Sequence, residues 1–216
     1  MSISLRQQEK NVLYNIMEER HSVKHYESNY KISKAELEEM LTAAITAPSA
    51  WNLQHWRFLV IEDQKKQEEL LPIAYYQQQI VDASAVVAVL GDLEANKEAE
   101  GVYQEAVKKG FMSEEIKNTL VDQINGAYKR GGSFARDAAF LNASLAAMQF
   151  MLAAKSKGYD TCPIGGFKQQ EFINKFHVPD RFTPIMLITV GKAAKDAYPS
   201  SRKALDKVVT YNSFQR

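Results

Sequence analysis

Residues that suit the binding of an anion are concentrated in a five-residue stretch near the N-terminus. Arg20, His21, Ser22 and Lys24 supply two permanent cations, an imidazole and a hydroxyl. In an extended chain, Arg20, Ser22 and Lys24 fall on one side, because side chains alternate with a period of two. Arginine offers a planar fork that fits phosphate, and lysine adds a compact point charge. The stretch predicts an anion-binding segment, and the structural alternative is a solvated surface turn.

A second polar stretch, from Ala47 to Trp56, lies between a predicted helix and a predicted strand. Ser49, Asn52 and Gln54 supply hydrogen-bond donors and acceptors close to two tryptophans. Residues of these types also close ordinary turns. The stretch alone is therefore compatible with a ligand-binding loop or with a structural one.

Two more stretches in the C-terminal half have features that suit a ligand. In Pro163–Phe167, the paired Gly165 and Gly166 let a flat ligand approach free backbone N–H groups; the alternative is an ordinary loop. In Tyr198–Arg202, Arg202 is either a second phosphate ligand or a surface charge.

The sequence lacks several motifs that are typical of metal-binding, nucleophilic and nucleotide-binding sites. The histidines form no HExxH motif, and Cys162 is the single cysteine, so the sequence predicts no metal centre and no disulfide. Cys162 is interpreted as a buried structural thiol. The GxSxG, GxxxxGK and GxGxxG motifs are absent, so a nicotinamide cofactor would not lie on a Rossmann turn.

Length, composition and charge favour one globular domain over residues 1–216. Apolar residues make up 45% and charged residues 25%, and the formal net charge is +1. A charge so near zero predicts no nucleic-acid partner and no anionic membrane surface. The first ten residues are polar and contain no apolar signal core, so a cytoplasmic location is expected.

The spacing of apolar residues predicts the helices and strands that must position these stretches. A capping box of Ser33 and Glu36 opens one helix, which Pro48 ends. Other predicted helices occupy 6–19, with Leu13, Ile16 and Met17 inward, and 64–75, 94–109, 114–130 and 134–157. Predicted strands occupy 56–62, 85–91 and 184–191, and the last two are apolar on both faces.

The helix predicted over 134–157 is apolar almost all round, so burial on almost all sides is expected. Asn142, Ser144 and Gln149 interrupt it, which favours a core or dimer-interface helix over a membrane span. Gly158 is the expected C-cap. The chain is predicted to be an α+β or mixed three-layer domain with helices on both faces of its sheet. A tail from about residue 196 to 216 has little core pattern and is expected to wrap a second subunit.

Together the four stretches resemble the FMN-dependent nitroreductase family, from about Met17 to Arg202. Arg20-His21-Ser22-x-Lys24 is similar to the family's N-terminal flavin motif. Pro48-Ser49-x-x-Asn52-x-Gln54-x-Trp56 is similar to its helix-to-strand motif, with His55 where proline is usual. The Pro-Ile-Gly-Gly-Phe version of the third stretch is closest to small bacterial NAD(P)H nitroreductases.

The resemblance implies a mixed, mainly antiparallel sheet, a long central helix at a dimer interface, and a C-terminal arm crossing to the partner. It implies that Arg20 and Arg202 hold the FMN phosphate, and that Lys24 stabilises the anionic edge of reduced flavin. No side chain is assigned a catalytic role, since the flavin carries the chemistry and Lys24 and Gly166 tune it. The implied cofactor-binding residues are Arg20, His21, Ser22, Lys24, Pro48, Ser49, Asn52, Gln54, Gln79, Pro163, Ile164, Gly165, Gly166 and Arg202.

In this scheme Ser49, Asn52 and Gln54 reach the flavin of the partner subunit. Two departures affect substrate preference: some members carry Glu in place of Gly165, and many carry Asn in place of Tyr76.

The expected function is that of a homodimeric oxidoreductase that uses tightly bound FMN and NADH or NADPH. Ping-pong hydride transfer would reduce a nitroaromatic, a quinone or a similar electron-poor acceptor, and residues 94–130 would form the pocket rim. Alternatives are a flavin reductase or reductive dehalogenase of the same family, a flavin carrier or sensor with little turnover, and an anion-binding domain without flavin.

Overall fold

Four strands form one antiparallel sheet in the order β1-β2-β4-β3. The computed structural model describes residues 12–214. The strands are β1 (Trp56–Ile61), β2 (Ala85–Asp92), β3 (Asp160–Ile164) and β4 (Phe182–Gly191). In the sheet, Val87 of β2 lies opposite Val60 of β1 and Ile188 of β4. β1 and β3 are therefore the two edges.

Helices connect and cover these strands. They are α1 (described over 12–19), α2 (Lys34–Ala44), α3 (Gln64–Leu70), α4 (Gln79–Asp82), α5 (Ala99–Lys108), α6 (Glu114–Lys129), α7 (Phe134–Ser156) and α8 (Gln169–Phe176). Short 3-10 turns occupy Ala50–Asn52, Ala95–Glu98 and Leu205–Lys207.

The core lies on both faces of the sheet, because β2 is buried along its whole length. Alternate residues of β2 point to opposite layers, as the pleat requires. Val87 packs with Met40 of α2 and Phe150 of α7, whereas Val86 packs with Leu70 of α3 and Phe172 of α8. The three-layer α+β prediction is confirmed, and the pairs among the four named strands are antiparallel, while an isolated bridge to β3 is parallel.

The long helix α7 approaches the sheet very closely. A Cβ atom placed on Gly91 of β2 would lie 2.9 Å from the Cβ atom of Ala139 and 2.8 Å from Cδ1 of Ile185. Gly91 is therefore needed because no side chain fits between α7 and β2. Gly158, with φ of +81°, follows the helix, as expected for its C-cap.

The opposite face of α7 is open in a single chain. Leu141 is 67% exposed, and Leu145 and Met148 are also exposed. The expectation of burial on almost all sides is thus not met within one chain. By length and composition α7 could cross a membrane, but its buried face packs on the sheet, which places it in the core.

Most element predictions agree with the structure. Both hydrogen bonds of the capping box are present, from the backbone N–H of Glu36 to Ser33 Oγ and from that of Ser33 to Glu36 Oε2, each 3.3 Å. The strands predicted at 56–62, 85–91 and 184–191 are confirmed within two residues. Residues 6–11 of the first predicted helix lie outside the described residues. The prediction that Leu13 and Met17 point inward is wrong for a single chain, because they are 52% and 45% exposed. With Ile16 they line an open groove against α2 and α7.

Three elements were missed and the end of a fourth was misplaced. β3 was missed because it is short and contains Pro163, which an edge strand tolerates. α4 and α8 were missed because they are short and largely polar. The helix predicted to reach Tyr75 ends at Leu70 and is followed by turns, within which Tyr75 and Tyr76 have left-handed φ values of 53° and 56°.

Candidate active site

The basic stretch lies beside the edge strand β3. Ser22 forms a parallel bridge to Thr161, and the backbone N–H of Val23 donates to the carbonyl oxygen of Thr161 at 3.1 Å. The chain is extended there, so alternate side chains point to opposite sides.

A cleft of about 340 Å³ opens on one side of this stretch. Its lining comprises Arg20, Ser22, Lys24, Tyr198, Pro199, Ser200 and Arg202. Residues far apart in sequence thus bring three cations and three hydroxyl groups to one cavity. His21 is not among the lining residues of this cleft and instead lines an adjoining cavity with Val23, Lys155 and Asp160.

Among the described residues, no carboxylate forms an ion pair with the cations of the cleft. Within residues 12–214, none of the ion pairs includes Arg20, Lys24 or Arg202. Nη1 of Arg202 donates to Ser200 Oγ at 3.0 Å and to the Ser201 carbonyl oxygen at 2.9 Å. Three such cations around one cavity suit a phosphate group.

Cys162 lies beneath the basic stretch and is buried. Burial raises the pKa of its thiol, although the charge of Lys24 and a hydrogen bond with Ser22 act in the opposite direction. The thiol is therefore neutral at pH 7, which fits a structural role.

The paired glycines follow β3 directly and are exposed. A Cβ atom on Gly165 or on Gly166 would meet no atom of the described chain within 4 Å. Packing inside residues 12–214 does not explain two glycines here, whereas the approach of a flat ligand to the backbone does.

A loop from α3 to α4 is tied to the glycine pair. Nε2 of Gln77 donates to the carbonyl oxygen of Gly166 at 3.0 Å, and the N–H of Lys168 donates to the Ile73 carbonyl oxygen at 2.9 Å. Gln79, one of the predicted cofactor-binding residues, is buried and donates to Oε1 of Gln77 at 3.1 Å. Sequence reasoning missed Gln77, since nothing in the tract of three glutamines distinguishes the one that bridges.

Tyr75 and Tyr76 project from the same loop. They are 59% and 74% exposed, and both adopt the left-handed backbone that non-glycine residues rarely populate. Such strain often occurs at ligand sites. Two exposed aromatic rings therefore lie in the loop that contacts the open glycine backbone.

The loop before β1 is also strained. Trp51, Asn52 and Gln54 have φ values of 52°, 54° and 51°. Ser49 Oγ accepts a hydrogen bond from the N–H of Gln54 at 2.9 Å, and Oδ1 of Asn142 on α7 accepts one from the N–H of Ala50 at 2.7 Å. The loop is held by its surroundings while the side chains of Asn52 and Gln54 are exposed.

This loop and the cationic cleft belong to opposite ends of the strand order. The loop enters β1, and Arg20–Lys24 lies along β3, so three strand spacings, roughly 14 Å in all, separate the two edges. The residues lining the cleft do not include Ser49, Asn52 or Gln54. One chain therefore does not bring the two motifs together in that cleft.

A family model described as "Nitroreductase family" matches residues 17–192. The Bacillus subtilis (strain 168) protein named "Putative NAD(P)H nitroreductase YodC" is 56% identical over 196 residues, covering 91% of this chain and 96% of its own. The "CLA biosynthesis enone reductase" of Lactiplantibacillus plantarum is 31% identical over 210 residues, covering 94% and 95%.

A solved structure from Exiguobacterium sibiricum 255-15 is similar throughout. It is described as "a putative nitroreductase in complex with FMN", is 38% identical, has a TM-score of 0.86, and is matched over 92% of this chain and 96% of its own. The resemblance seen in the sequence motifs is therefore confirmed. The chain belongs to the nitroreductase family, a family of oxidoreductases.

Proposed function

We propose that this chain is an FMN-dependent NAD(P)H oxidoreductase that works as a homodimer and reduces electron-poor acceptors such as nitroaromatics and quinones. The observation that carries the proposal is the cleft in which Arg20, Lys24 and Arg202 converge without carboxylate partners among the described residues. Relatives named NAD(P)H nitroreductase and a similar structure in complex with FMN support it.

The residues present fit FMN at both of its ends. Arg20 and Arg202 supply guanidinium donors for a phosphate, and Ser22 adds a hydroxyl. Lys24 places a fixed positive charge in the same cleft, where it would stabilise an anionic reduced ring. Gly165 and Gly166 leave open space above their backbone for the flat ring system.

When bound, FMN would supply transfer of a hydride, two electrons and one proton, from NADH or NADPH to an acceptor in two half-reactions. The protein's own residues bind and orient the reactants and keep one ring face accessible. This division explains why no acid–base pair or nucleophile is required among the side chains.

Apolar surface that is exposed in a single chain supports the proposed homodimer. Leu141, Leu145 and Met148 form an exposed apolar face on α7. The tail from residue 196 to 214 also exposes large apolar side chains, namely Tyr198, Leu205, Val208, Tyr211 and Phe214. In the proposal the tail crosses to the partner, and each site combines the cleft of one chain with Ser49, Asn52 and Gln54 of the other.

The proposed site is not restricted to acceptors that carry a nitro group or a quinone. An activated alkene would suit the same site, and the relative named enone reductase supports that second candidate. The proposed enzyme is cytoplasmic and acts on small molecules, without a nucleic-acid or membrane partner.

The colour of the purified protein is the first test. We expect a yellow protein whose flavin absorbance is bleached by NADH or NADPH without oxygen and restored by a nitroaromatic or a quinone. A colourless protein that does not bind added FMN would contradict the proposal. A bound flavin that resists bleaching by both nucleotides would indicate a carrier or sensor instead.

A further inference from the structure

The polar loop before β1 alternates between exposed and buried side chains. Asn52 and Gln54 are exposed, whereas Leu53 and His55 are completely or almost completely buried. Leu53 packs into a small apolar cluster with Ala95, Ala99 and Ile124 from the helical region that includes α5 and α6. The inward side chains of the loop are thus buried against the region proposed as the pocket rim.

His55 adds a polar contact to that apolar one. Its Nε2 atom lies 3.0 Å from the hydroxyl oxygen of Tyr128, near the C-terminal end of α6. Proline, the usual residue here in the family that the sequence resembles, has no side-chain nitrogen that could make this bond. The contact is therefore a property of this chain's own residues.

Both partners are uncharged at neutral pH. Burial lowers the pKa of His55 to about 4 and raises the pKa of Tyr128 to about 12, and the nearby Asp92 carboxylate further raises the latter. Asp92 itself is bound by Arg181 through two hydrogen bonds of 2.8 Å and 2.6 Å. In the described part of the chain, Nδ1 of His55 has no hydrogen-bond partner. The imidazole of His55 is therefore held by its bond to Tyr128.

A third contact joins the loop to the same helices, because the hydroxyl of Tyr103 on α5 donates to the carbonyl oxygen of Trp51 at 3.2 Å. Three left-handed residues in this loop require external restraint, since strained backbone persists only where its surroundings fix it. We propose that His55 and Tyr128 are positioning residues that fasten the loop to α6 and thereby set the placement of Asn52 and Gln54. The consequence for a ligand rests on the proposed FMN site.

The test uses Tyr128→Phe in the full-length chain, which removes the hydroxyl and keeps the ring that packs edge-on against Phe134 at 5.4 Å. Tyr30→Phe is the matched control, since it removes a phenol hydrogen bond of 3.2 Å to Tyr159 away from the loop. His55→Gln is the conservative variant, because its amide can still bond the Tyr128 hydroxyl.

Amide hydrogen exchange without FMN tests the fastening independently of flavin. In Tyr128→Phe we expect residues 50–55 to exchange about tenfold faster than in the wild type, on the scale of one lost buried hydrogen bond. His55→Gln and Tyr30→Phe should leave exchange in this segment within about twofold of the wild type. Unchanged exchange in Tyr128→Phe would overturn the proposal.

A fluorescence titration with FMN tests the consequence. Tyr128→Phe should raise the Kd for FMN about five- to tenfold, while its bound flavin is still bleached by NAD(P)H. The single variant His55→Gln should retain an affinity close to that of the wild type. Faster exchange with an unchanged Kd would show that the contact is only structural and would overturn the positioning role. Failure of the wild type to bind FMN would instead refute the proposed function, and the exchange result would still decide the fastening.

Discussion

At the scale of single residues, alternate side chains in both polar motifs have different roles. Arg20, Ser22 and Lys24 face the cleft, whereas Val23 is buried on the other side. In the loop before β1, Asn52 and Gln54 point outward and their neighbours anchor the loop. In either motif, substitution of an outward-facing residue is therefore expected to affect ligand binding. Substitution of an inward-facing neighbour is expected to affect the anchoring of the segment.

Arg20→Ala tests the cationic cleft. Removing one charge-assisted contact is expected to raise the Kd for FMN by about 10- to 100-fold. Lys203→Ala is the matched control, because Lys203 is an exposed cation next to Arg202 that does not line the cleft. Titration of apoprotein with FMN gives both constants. Equal affinity in Arg20→Ala and in the wild type would remove Arg20 from the phosphate site.

The pH dependence of stability tests the burial of His55. Because the fold lowers its pKa from 6.5 to about 4, the folded state prefers the neutral ring. This contribution to stability is complete above about pH 6.5 and is lost as the pH falls towards 4, by about 3 kcal/mol in total.

Urea unfolding between pH 7.5 and 4 measures this effect. The free energy of unfolding of the wild type should fall more steeply than that of His55→Gln, which has no titrating ring. His177→Gln, at an exposed histidine, should follow the wild type. Parallel curves for the wild type and His55→Gln would show that His55 does not titrate with folding.

At the scale of elements, the sequence predicts what local patterns determine. The α2 capping box and the two strands apolar on both faces were found because their signals are complete within a few residues. β3 was missed because its strand character depends on pairing with β4, more than twenty residues away, and Pro163 argues against a strand until its edge position is known. Gln77 was missed for the same reason, since its bond to Gly166 joins two distant loops.

The contact of α7 with β2 depends on Gly91, and Gly91→Ala tests it. The new methyl group would lie within 3 Å of Ala139 and Ile185, so a loss of about 1–3 kcal/mol in the free energy of unfolding is expected. Gly101→Ala on α5 is the control, because its Cβ would meet no described atom within 4 Å. That variant should be neutral or more stable by up to about 1 kcal/mol. Equal stability of the two variants would mean that α7 can move away from the sheet without cost.

At the scale of the whole molecule, the sheet order separates the two motifs that the sequence resemblance assigned to one flavin site. The cleft lies at the β3 edge and the polar loop at the β1 edge. In the proposed homodimer a second chain would resolve this separation, and the exposed apolar face of α7 and the apolar tail are surfaces that such a partner would cover. Sequence motifs predicted which residues belong together, and in the proposed dimer these residues come from different chains.

Charged residues on the open face of α7 should prevent dimerisation. Leu141→Glu combined with Leu145→Glu is expected to yield a monomer that binds FMN weakly, because desolvating two carboxylates in an apolar interface is costly. Ile116→Glu on α6, also at an exposed apolar residue, should remain a dimer. Sedimentation velocity with bound flavin recorded by absorbance distinguishes these outcomes. A monomeric double variant that retains tight FMN would contradict the shared site.

Subunit mixing tests the shared site most directly. Arg20→Ala and Asn52→Ala each impair both sites of their own homodimer. After random exchange, about half of the dimers are heterodimers, and each has one doubly altered site and one intact site. The intact site takes Arg20 from the Asn52→Ala chain and Asn52 from the Arg20→Ala chain. About a quarter of all sites should therefore regain wild-type FMN affinity, measured by titration before and after mixing. If Arg20 and Asn52 of the same chain served one flavin, every site would keep one alteration, and mixing would restore nothing.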